Sequence, residues 1–353
     1  MAVVPWSQVR TLESTIGKEQ RLHPHSRGIF SDLMRRIGVA SKVVVSNVKR
    51  AALLNRSIGM TGARSGEPLQ MHLVANDIMK SALVWMPSVA GLVSRDENGV
   101  VMLPDKPRAA DQYIVFYDSI DGRSNLDANG SVATIFSIYR CISGYSSARH
   151  EDFLQPPYKQ AAAGYVLYGS STMFVLTTGH GVHGFTLDPE IGEYVLSHEN
   201  ILIPDKIKCF SANSVHMPYW DEPSQRFAAL FSEGKEPRYA KTSSRYIGSV
   251  VADFHRNLLY GGVFMYPTNQ STGEDKLRLM FECGPLAMII EQAGGLATAG
   301  RERILDIRPT DMHQTVPLVI GPRREVELYE KMVRDFDIAS GARRPSLPPP
   351  AAD

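Results

Sequence analysis

Cysteine is scarce in this chain, with 3 among 353 residues. Cys141, Cys209 and Cys283 lie too far apart for a thiolate metal site, and they are too few for a disulfide framework. Both classes of small, cross-linked protein are therefore excluded. The pattern is typical of a protein that works in a reducing compartment, and we expect a cytoplasmic location.

The chain also lacks an excess of charge of either sign and any long apolar run. Its 38 basic residues balance 37 acidic residues, so no net field attracts nucleic acid or a membrane surface. No apolar stretch approaches membrane-spanning length, and residues 1–7 contain no basic region followed by an apolar run. We expect a soluble protein whose partner is a small molecule, with no nucleic acid and no membrane among its partners.

The length of 353 residues allows a substantial core and favours two lobes. The pattern predicts an N-terminal α/β lobe over 1–200, a C-terminal α/β lobe over 201–338 and a disordered, proline-rich tail over 339–353. A polar, glycine-bearing stretch at Asn55–Pro68 predicts a mobile loop.

Helical periodicity is clearest from Ile29 to Val48, where apolar residues recur at every third or fourth position. Further helices are predicted at Gln70–Trp85, Glu222–Phe231, Gly284–Ala293 and Arg324–Phe336. Strands are predicted at Ala90–Ser94, Tyr113–Tyr117, Ser131–Tyr139, Ala163–Leu167, Thr172–Thr177, Val182–Leu187 and Glu193–Leu196.

The most informative motif is Tyr113–Asp127, which reads YIVFYDSIDGRSNLD. Its apolar, β-rich start predicts that Asp118 and Asp121 enter a tight turn closed by Gly122, with the carbonyl of Ile120 between them. Carboxylate and carbonyl oxygens are ligands that Mg²⁺ prefers, and the N–H groups after Gly122 are suited to a phosphate. Taken alone, the motif leaves open that the aspartates merely cap a turn.

The motif resembles the D-P-[IL]-D-G-[ST]-x-N signature of the lithium-sensitive, magnesium-dependent sugar and inositol phosphatases. It departs from that signature at Ser119, where Pro is usual, and at Arg123, where Ser or Thr is usual. Longer stretches are similar to the class I fructose-1,6-bisphosphatase family, namely Ala163–Gly169, Ser244–Arg256, Leu259–Pro267, Leu277–Gly300 and Leu305–Gln314. The resemblance runs from about Ser26 to about Val333.

The resemblance implies an α/β fold with the α-β-α-β-α layering of the sugar phosphatases. It implies a phosphoric monoester hydrolase of carbohydrate metabolism that removes the 1-phosphate of a ketose bisphosphate with Mg²⁺ or Mn²⁺. It also implies a homo-oligomer, a tetramer, because Arg245 occupies a position that reaches a neighbouring subunit's site. The alternative is a divergent paralogue that binds a sugar phosphate but has lost or changed the chemistry.

The resemblance assigns the metals to Asp118, Asp121 and Glu282, with the Ile120 carbonyl, and to an acidic pair after the strand that ends at Ser94. Direct alignment puts Arg95 where the first, metal-bridging glutamate is expected. A one-residue slip would offer Asp96 and Glu97 instead, but it would break the register of the strand. We prefer the direct alignment and keep Asp96 and Glu97 as the alternative metal ligands.

An arginine at this position changes the electrostatics of a metal site. Two unit charges about 4 Å apart interact by roughly 4 kcal/mol at an effective dielectric near 20, so Arg95 would repel a divalent ion by about 8 kcal/mol. Either Arg95 points away and the site keeps a reduced metal complement, or its guanidinium lies across the carboxylates and replaces a metal.

His72 occupies the position of an aspartate that helps activate the attacking water in the family. A histidine there is suited to a general base near neutral pH, and the alternative is a solvated residue at the start of a helix.

The resemblance also assigns the substrate-binding residues. Arg278 should approach the reacting phosphate, and those for the distal phosphate are Asn213, His216, Arg245, Tyr246, Tyr266 and Lys276. The turn residues Gly122, Arg123 and Ser124 are expected at the reacting phosphate from their own chemistry, through backbone N–H groups and the charge of Arg123. His216 stands where a tyrosine is usual. Core packing is the alternative role for Tyr246 and Tyr266.

Overall fold

The computed structural model describes residues 9–21, 28–51, 53, 70–101, 103, 112–143 and 148–341. The predicted mobile loop Asn55–Pro68 and positions 342–353 of the predicted tail lie outside these residues. The last described helix runs through Ser340, past the predicted tail boundary at 339, and Gly341 caps it in the left-handed conformation with φ 68°.

The larger sheet arranges its seven strands in the order of the sequence. They are β1 Val89–Ser94, β2 Tyr113–Asp121, β3 Val132–Arg140, β4 Gln160–Tyr168, β5 Thr172–Thr177, β6 His183–Asp188 and β7 Glu193–His198. Strands β1 and β2 are parallel, and each later neighbouring pair is antiparallel. Only the β1–β2 connection must therefore cross from one end of the sheet to the other.

A second sheet forms from residues after 208. Its strands are β8 Cys209–Ser211, β9 Ser243–Ser244, β10 Gly262–Tyr266, β12 Gly295–Thr298 and β14 Leu318–Pro322, in the order β12-β14-β10-β8-β9. A separate two-stranded ladder pairs β11 Leu277–Arg278 with β13 Thr315–Val316.

The described α-helices are Leu12–Arg21, Ile29–Val48, Met71–Leu83, His150–Phe153, Glu222–Glu233, Val250–Tyr260, Gly284–Gln292 and Arg323–Ser340. Short 3₁₀ turns occupy Arg123–Asn125, Pro157–Lys159, Ser214–Tyr219 and Ile304–Asp306, and Leu279–Cys283 is a π-helical turn. Two of these helices were not predicted. Leu12–Arg21 is mostly polar and lacks a clear apolar period. Val250–Tyr260 overlaps the stretches Ser244–Arg256 and Leu259–Pro267, which supported the family resemblance but no helix prediction.

Three hydrophobic cores show how these elements are layered. Helices Ile29–Val48 and Met71–Leu83 pack on one face of the larger sheet, and Val250–Tyr260 and Gly284–Gln292 fill the space between the two sheets. Helices Glu222–Glu233 and Arg323–Ser340 cover the outer face of the second sheet. The layers therefore follow the predicted order α-β-α-β-α.

Strand β2 lies between two helical layers, and all nine of its residues are buried. Phe116 and Tyr117 point to opposite faces of the strand and pack into two different hydrophobic cores. The same strand therefore carries Asp118 and Asp121 directly into the interior of the molecule.

Candidate active site

Asp118 and Asp121 lie on β2 itself, not in the turn that the motif predicted. Residues three apart on a regular strand point to opposite faces. The pairing of β2 with β3 is irregular between Asp118 and Asp121, and Gly122 follows with φ 77°. This bulge-like irregularity lets both carboxylates approach one point.

Glu282 completes a cluster of three buried carboxylates. One oxygen of each of Asp118, Asp121 and Glu282 lies within 4.8 Å of the others. Glu282 comes from the π-helical turn Leu279–Cys283, which precedes the helix Gly284–Gln292. Such turns often occur at functional sites because they redirect one side chain.

The carboxylates differ in their hydrogen bonds. Asp121 accepts from the hydroxyl of Ser249 at 2.5 Å and from the backbone N–H of Val251 at 3.0 Å, and Glu282 accepts from the N–H of Arg278 at 2.7 Å. Neither oxygen of Asp118 accepts a hydrogen bond from the described residues. Asp118 therefore has the most unused ligand capacity.

Burial shifts the protonation of the two aspartates. It raises the pKa of Asp118 to about 8, although the nearby Arg95 guanidinium opposes the shift. It raises the pKa of Asp121 to about 6, against the effect of the hydrogen bond from Ser249. The cluster is thus poised for a cation that would keep these groups ionised.

Arg95 lies across this cluster. Its Nε is 3.4 Å from Asp118 Oδ2, and its Nη2 is 3.6 Å from Glu282 Oε1. The strand β1 keeps its parallel pairing with β2 up to Ser94, and the Arg95 N–H donates to the Tyr117 carbonyl at 3.0 Å. Of the two predicted orientations of the Arg95 side chain, the structure has the one across the carboxylates.

The neighbouring acidic residues have other partners. Asp96 forms an ion pair with Arg123 and accepts from the Ser119 hydroxyl at 2.7 Å. Glu97 accepts from Lys80 at 2.9 Å and from the amide of Asn76 at 3.0 Å. Neither belongs to the three-carboxylate cluster. The carbonyl of Ile120 accepts from Arg123 Nε at 3.4 Å.

His72 lies in the first turn of the helix Met71–Leu83 and is partly buried. Its carbonyl accepts from the Ser119 hydroxyl at 3.0 Å, which ties the helix start to β2. Burial lowers the pKa of His72, and the positive charge of Arg123 lowers it further. The ring is therefore mainly neutral at pH 7.

Arg278 is held by contacts that sequence analysis missed. Its Nη1 lies 2.8 Å from His313 Nδ1 and donates to the Arg95 carbonyl at 2.8 Å. The His313 ring stacks on Phe281 with centroids 5.1 Å apart. Only the presence of His313 in the matching stretch Leu305–Gln314 could have drawn attention to it.

Two adjoining cavities contain most of the predicted substrate residues. One is lined by Arg95, Asp121, Gly122, Arg123, Ser124, Tyr246, Tyr266, Lys276 and Glu282, among others. The other has an empty volume of about 740 Å³ and includes Asn213, His216, Tyr266 and Lys276 in its lining. Tyr266 and Lys276 belong to both linings, with Lys276 Nζ 5.6 Å from the centroid of the Tyr266 ring.

Three predicted substrate residues differ from the others in their exposure or in their contact with the cavities. Arg245 is exposed, lines neither cavity and donates to the Ser244 carbonyl at 2.8 Å. Tyr246 is 37% exposed, and its partial burial raises its pKa to about 12. Arg278 lines neither cavity but lies beside Glu282 through its backbone.

Comparison with known proteins identifies the family. Residues 10–199 match the model of the fructose-1-6-bisphosphatase N-terminal domain, and residues 203–334 match that of the C-terminal domain. The chain belongs to the fructose-1,6-bisphosphatase family. It is 44% identical over 333 residues to "Fructose-1,6-bisphosphatase class 1" of Chloroherpeton thalassium, a match that covers 93% of this chain and 95% of that protein.

Solved structures of the family have the same fold. The holo form of Leishmania major fructose-1,6-bisphosphatase matches with a TM-score of 0.82 at 38% identity, over 93% of this chain and 99% of that one. The T-state of the same enzyme matches with a TM-score of 0.81 at the same identity and coverage. The predicted fold and family are confirmed.

Membership also decides the class of function. The family supports a fructose-bisphosphatase-like sugar phosphatase, a phosphoric monoester hydrolase, as the sequence predicted. It does not favour the alternative of a paralogue without phosphatase chemistry. In the described residues, no helix is long and apolar enough to cross a membrane.

Proposed function

We propose that this chain hydrolyses the 1-phosphate of a ketose bisphosphate, with fructose 1,6-bisphosphate as the first candidate. One observation carries the proposal: a single cavity is lined by Asp121 and Glu282 of the carboxylate cluster and by the lysine Lys276. A bisphosphate needs an acidic metal site for its reacting phosphate and a cation for its distal phosphate.

The carboxylates are suited to a hard divalent cation, Mg²⁺ or Mn²⁺. Asp118, Asp121 and Glu282 offer oxygen ligands only, and both Asp118 oxygens lack hydrogen bonds from the described residues. A bound divalent ion supplies Lewis acidity toward the phosphate and its attacking water. The Ile120 carbonyl stays a predicted ligand. Asp96 and Glu97, which were predicted as ligands only for the slipped alignment, are paired with Arg123 and with Lys80 and Asn76.

The chain's own residues orient the substrate around this point. Gly122, Arg123 and Ser124 line the cavity beside the carboxylates, and the N–H groups after Gly122 bind the reacting phosphate together with Arg123 and Ser124. Arg278, whose backbone N–H donates to Glu282, supplies a further positive charge near the same phosphate. His72, neutral because of its lowered pKa, is available to accept a proton from water.

The distal phosphate binds where the two cavities meet. Lys276 and Tyr266 line both cavities, Asn213 and His216 line the larger-volume one described above, and Tyr246 lines the one beside the carboxylates. Arg245 is exposed and lines neither cavity of its own chain, which supports a role in a neighbouring subunit's site. We therefore propose a homotetramer. The cytoplasmic location stays a prediction from composition.

Phosphate release from a panel of sugar mono- and bisphosphates, with and without Mg²⁺, tests the proposed function. We expect Mg²⁺-dependent release that is fastest with a ketose bisphosphate. Lys276→Ala should weaken binding of fructose 6-phosphate in calorimetry at least tenfold, by about 1.4 kcal/mol or more. Lys18→Ala, which changes an exposed lysine on the helix Leu12–Arg21, is the matched control. Equal affinity in both variants would refute the assignment of this cavity.

A further inference from the structure

We propose that the Arg95 guanidinium takes the place of one divalent cation, so that this site binds a single metal ion per chain. The inference rests on the proposed function for its purpose, but not for its geometry. A glutamate at position 95, as the family pattern has, would instead add a fourth carboxylate and allow a second metal.

Arg95 lies within the carboxylate cluster. Its side chain is 22% exposed, and it contacts Asp118 and Glu282, which are 0% and 2% exposed. The contact distances of 3.4 and 3.6 Å are those of an ion pair without a hydrogen bond. Arg95 is therefore a cation inside the cluster and not a solvated residue at its rim.

The backbone of Arg95 is held on both sides. Its N–H donates to the Tyr117 carbonyl at 3.0 Å, and its carbonyl accepts from Arg278 Nη1 at 2.8 Å. These bonds fix the backbone from which the side chain starts, and the guanidinium itself is held by its ion pairs with Asp118 and Glu282. The fold thus places the base of a positively charged side chain next to the cluster.

Charge balance and the number of carboxylate ligands then limit the number of metal ions. Within the cluster itself, Asp118, Asp121 and Glu282 carry three negative charges when ionised for metal binding, and Arg95, the cation in contact with them, compensates one of these charges. The two remaining charges match one divalent cation. With glutamate at position 95 the total would be four negative charges, which match two divalent cations.

Nearby acidic residues do not replace the missing carboxylate. Asp96 is paired with Arg123, and Glu97 is paired with Lys80 and Asn76. Among the described residues, Asp118, Asp121 and Glu282 are the one group of three or more His, Cys, Asp or Glu side chains close enough to share a metal.

Arg95 nevertheless leaves room for one ion. Both oxygens of Asp118 and the Nε of Arg95 are buried without a hydrogen bond from the described residues. The arginine thus compensates one negative charge of the cluster but leaves the oxygens of Asp118 free to bind a metal ion. These unused oxygens are what a single hard cation requires.

Mn²⁺ titration with electron paramagnetic resonance tests the inference. The protein is titrated with and without saturating inorganic phosphate, and free Mn²⁺ is counted from its sharp six-line signal. We expect one bound Mn²⁺ per chain in the wild type, with no spin coupling between metals. Arg95→Glu should bind two per chain, with the broadened signal of a coupled pair.

A matched variant separates the loss of a cation from the gain of a ligand. Arg95→Leu removes the charge without adding a carboxylate and should still bind one Mn²⁺, whereas only Arg95→Glu should bind two. Two coupled Mn²⁺ ions in the wild type would overturn the inference, even if Arg95→Glu does not fold. Phosphate release is measured separately, so a wild type that binds one Mn²⁺ but releases no phosphate would refute the proposed function alone.

Discussion

At the residue scale, the chemistry of this site depends on how a few buried charges compensate one another. Asp118 is fully buried and lacks hydrogen bonds from the described residues, and Arg95 is the cation beside it. Burial makes this carboxylate hold a proton more tightly than one in water, although Arg95 opposes the effect. Binding of a metal and loss of a proton are therefore coupled at Asp118.

The coupling predicts a pH-dependent affinity for Mg²⁺. Burial raises the pKa of Asp118 well above that of an exposed aspartate, so a proton competes with the metal for this carboxylate as the pH falls. Affinity should therefore rise with pH by roughly tenfold per unit between pH 6 and pH 8 and level off above. Calorimetry in two buffers of different ionisation enthalpy measures both the affinity and the released proton. An affinity that is constant from pH 6 to 8 would contradict the shifted pKa.

His313 is predicted to position Arg278. A guanidinium only donates, so His313 Nδ1 must accept from Arg278, and the neutral ring carries its proton on Nε2. Burial lowers the pKa of His313, and Arg278 lowers it further, which favours that neutral form. The contact is worth about 1.5 kcal/mol, the lower range for a hydrogen bond to a charged group.

His313→Leu removes the acceptor and should lower kcat/KM for phosphate release by about tenfold. His313→Asn retains an acceptor at the position of Nδ1 and should recover most of the loss. Steady-state kinetics with thermal unfolding separates positioning from stability. If both variants lose the same activity, the hydrogen bond to Arg278 is not the reason.

At the element scale, one helix start supports the metal site. Ser249 caps the helix Val250–Tyr260 by accepting from the Ala252 N–H at 3.2 Å, and its hydroxyl donates to Asp121. Gly122 makes this approach possible, because a Cβ at that position would lie 2.6 Å from Ser249 Cβ. The positive φ of Gly122 and its missing side chain are both needed where β2 meets the helix.

Ser249→Ala should reduce both stability and metal affinity. Loss of the cap costs about 1 kcal/mol of unfolding free energy, and loss of the hydrogen bond to Asp121 weakens Mg²⁺ binding. Asp221→Ala is the matched control, because Asp221 caps the helix Glu222–Glu233 through the Ser224 N–H and is absent from the carboxylate cluster.

Urea denaturation and Mg²⁺ titration of both variants check this prediction. We expect a similar loss of stability in both and a weaker affinity only in Ser249→Ala. Unchanged Mg²⁺ affinity in Ser249→Ala would mean that the helix start does not support the metal site.

At the scale of the whole molecule, the predicted tetramer follows from the position of Arg245. Light scattering should give about four times the chain mass of 39.1 kDa. A mass near that of one chain at working concentration would exclude a shared site.

Mixed subunits test whether Arg245 completes a neighbour's site. Arg245→Ala and Asp118→Asn should each lose phosphatase activity, and co-refolded mixtures should recover part of it. Recovery is expected because an Arg245→Ala subunit would keep its own carboxylates and receive Arg245 from an Asp118→Asn neighbour. A mixture of Lys276→Ala and Asp118→Asn is the control and should not recover, since both residues serve the same subunit. No recovery in the first mixture would place Arg245 outside the neighbour's site.

Local patterns in the sequence determined much of the architecture. The helix Ile29–Val48 and the strand Thr172–Thr177 have the predicted bounds, because period and composition act over neighbouring residues. The fold and the family were also recognisable from the motifs at Tyr113–Asp127 and Leu277–Gly300.

Only the tertiary structure decided how the site is assembled. Ser249 reaches Asp121 across 128 positions, and Arg278 reaches the Arg95 carbonyl across 183. The motif predicted a turn at Asp118 and Asp121, but pairing with β3 extends β2 through both residues. The orientation of Arg95 likewise depends on Asp118 and Glu282 together. Such contacts join distant segments, and no local propensity encodes the direction in which a side chain points between them.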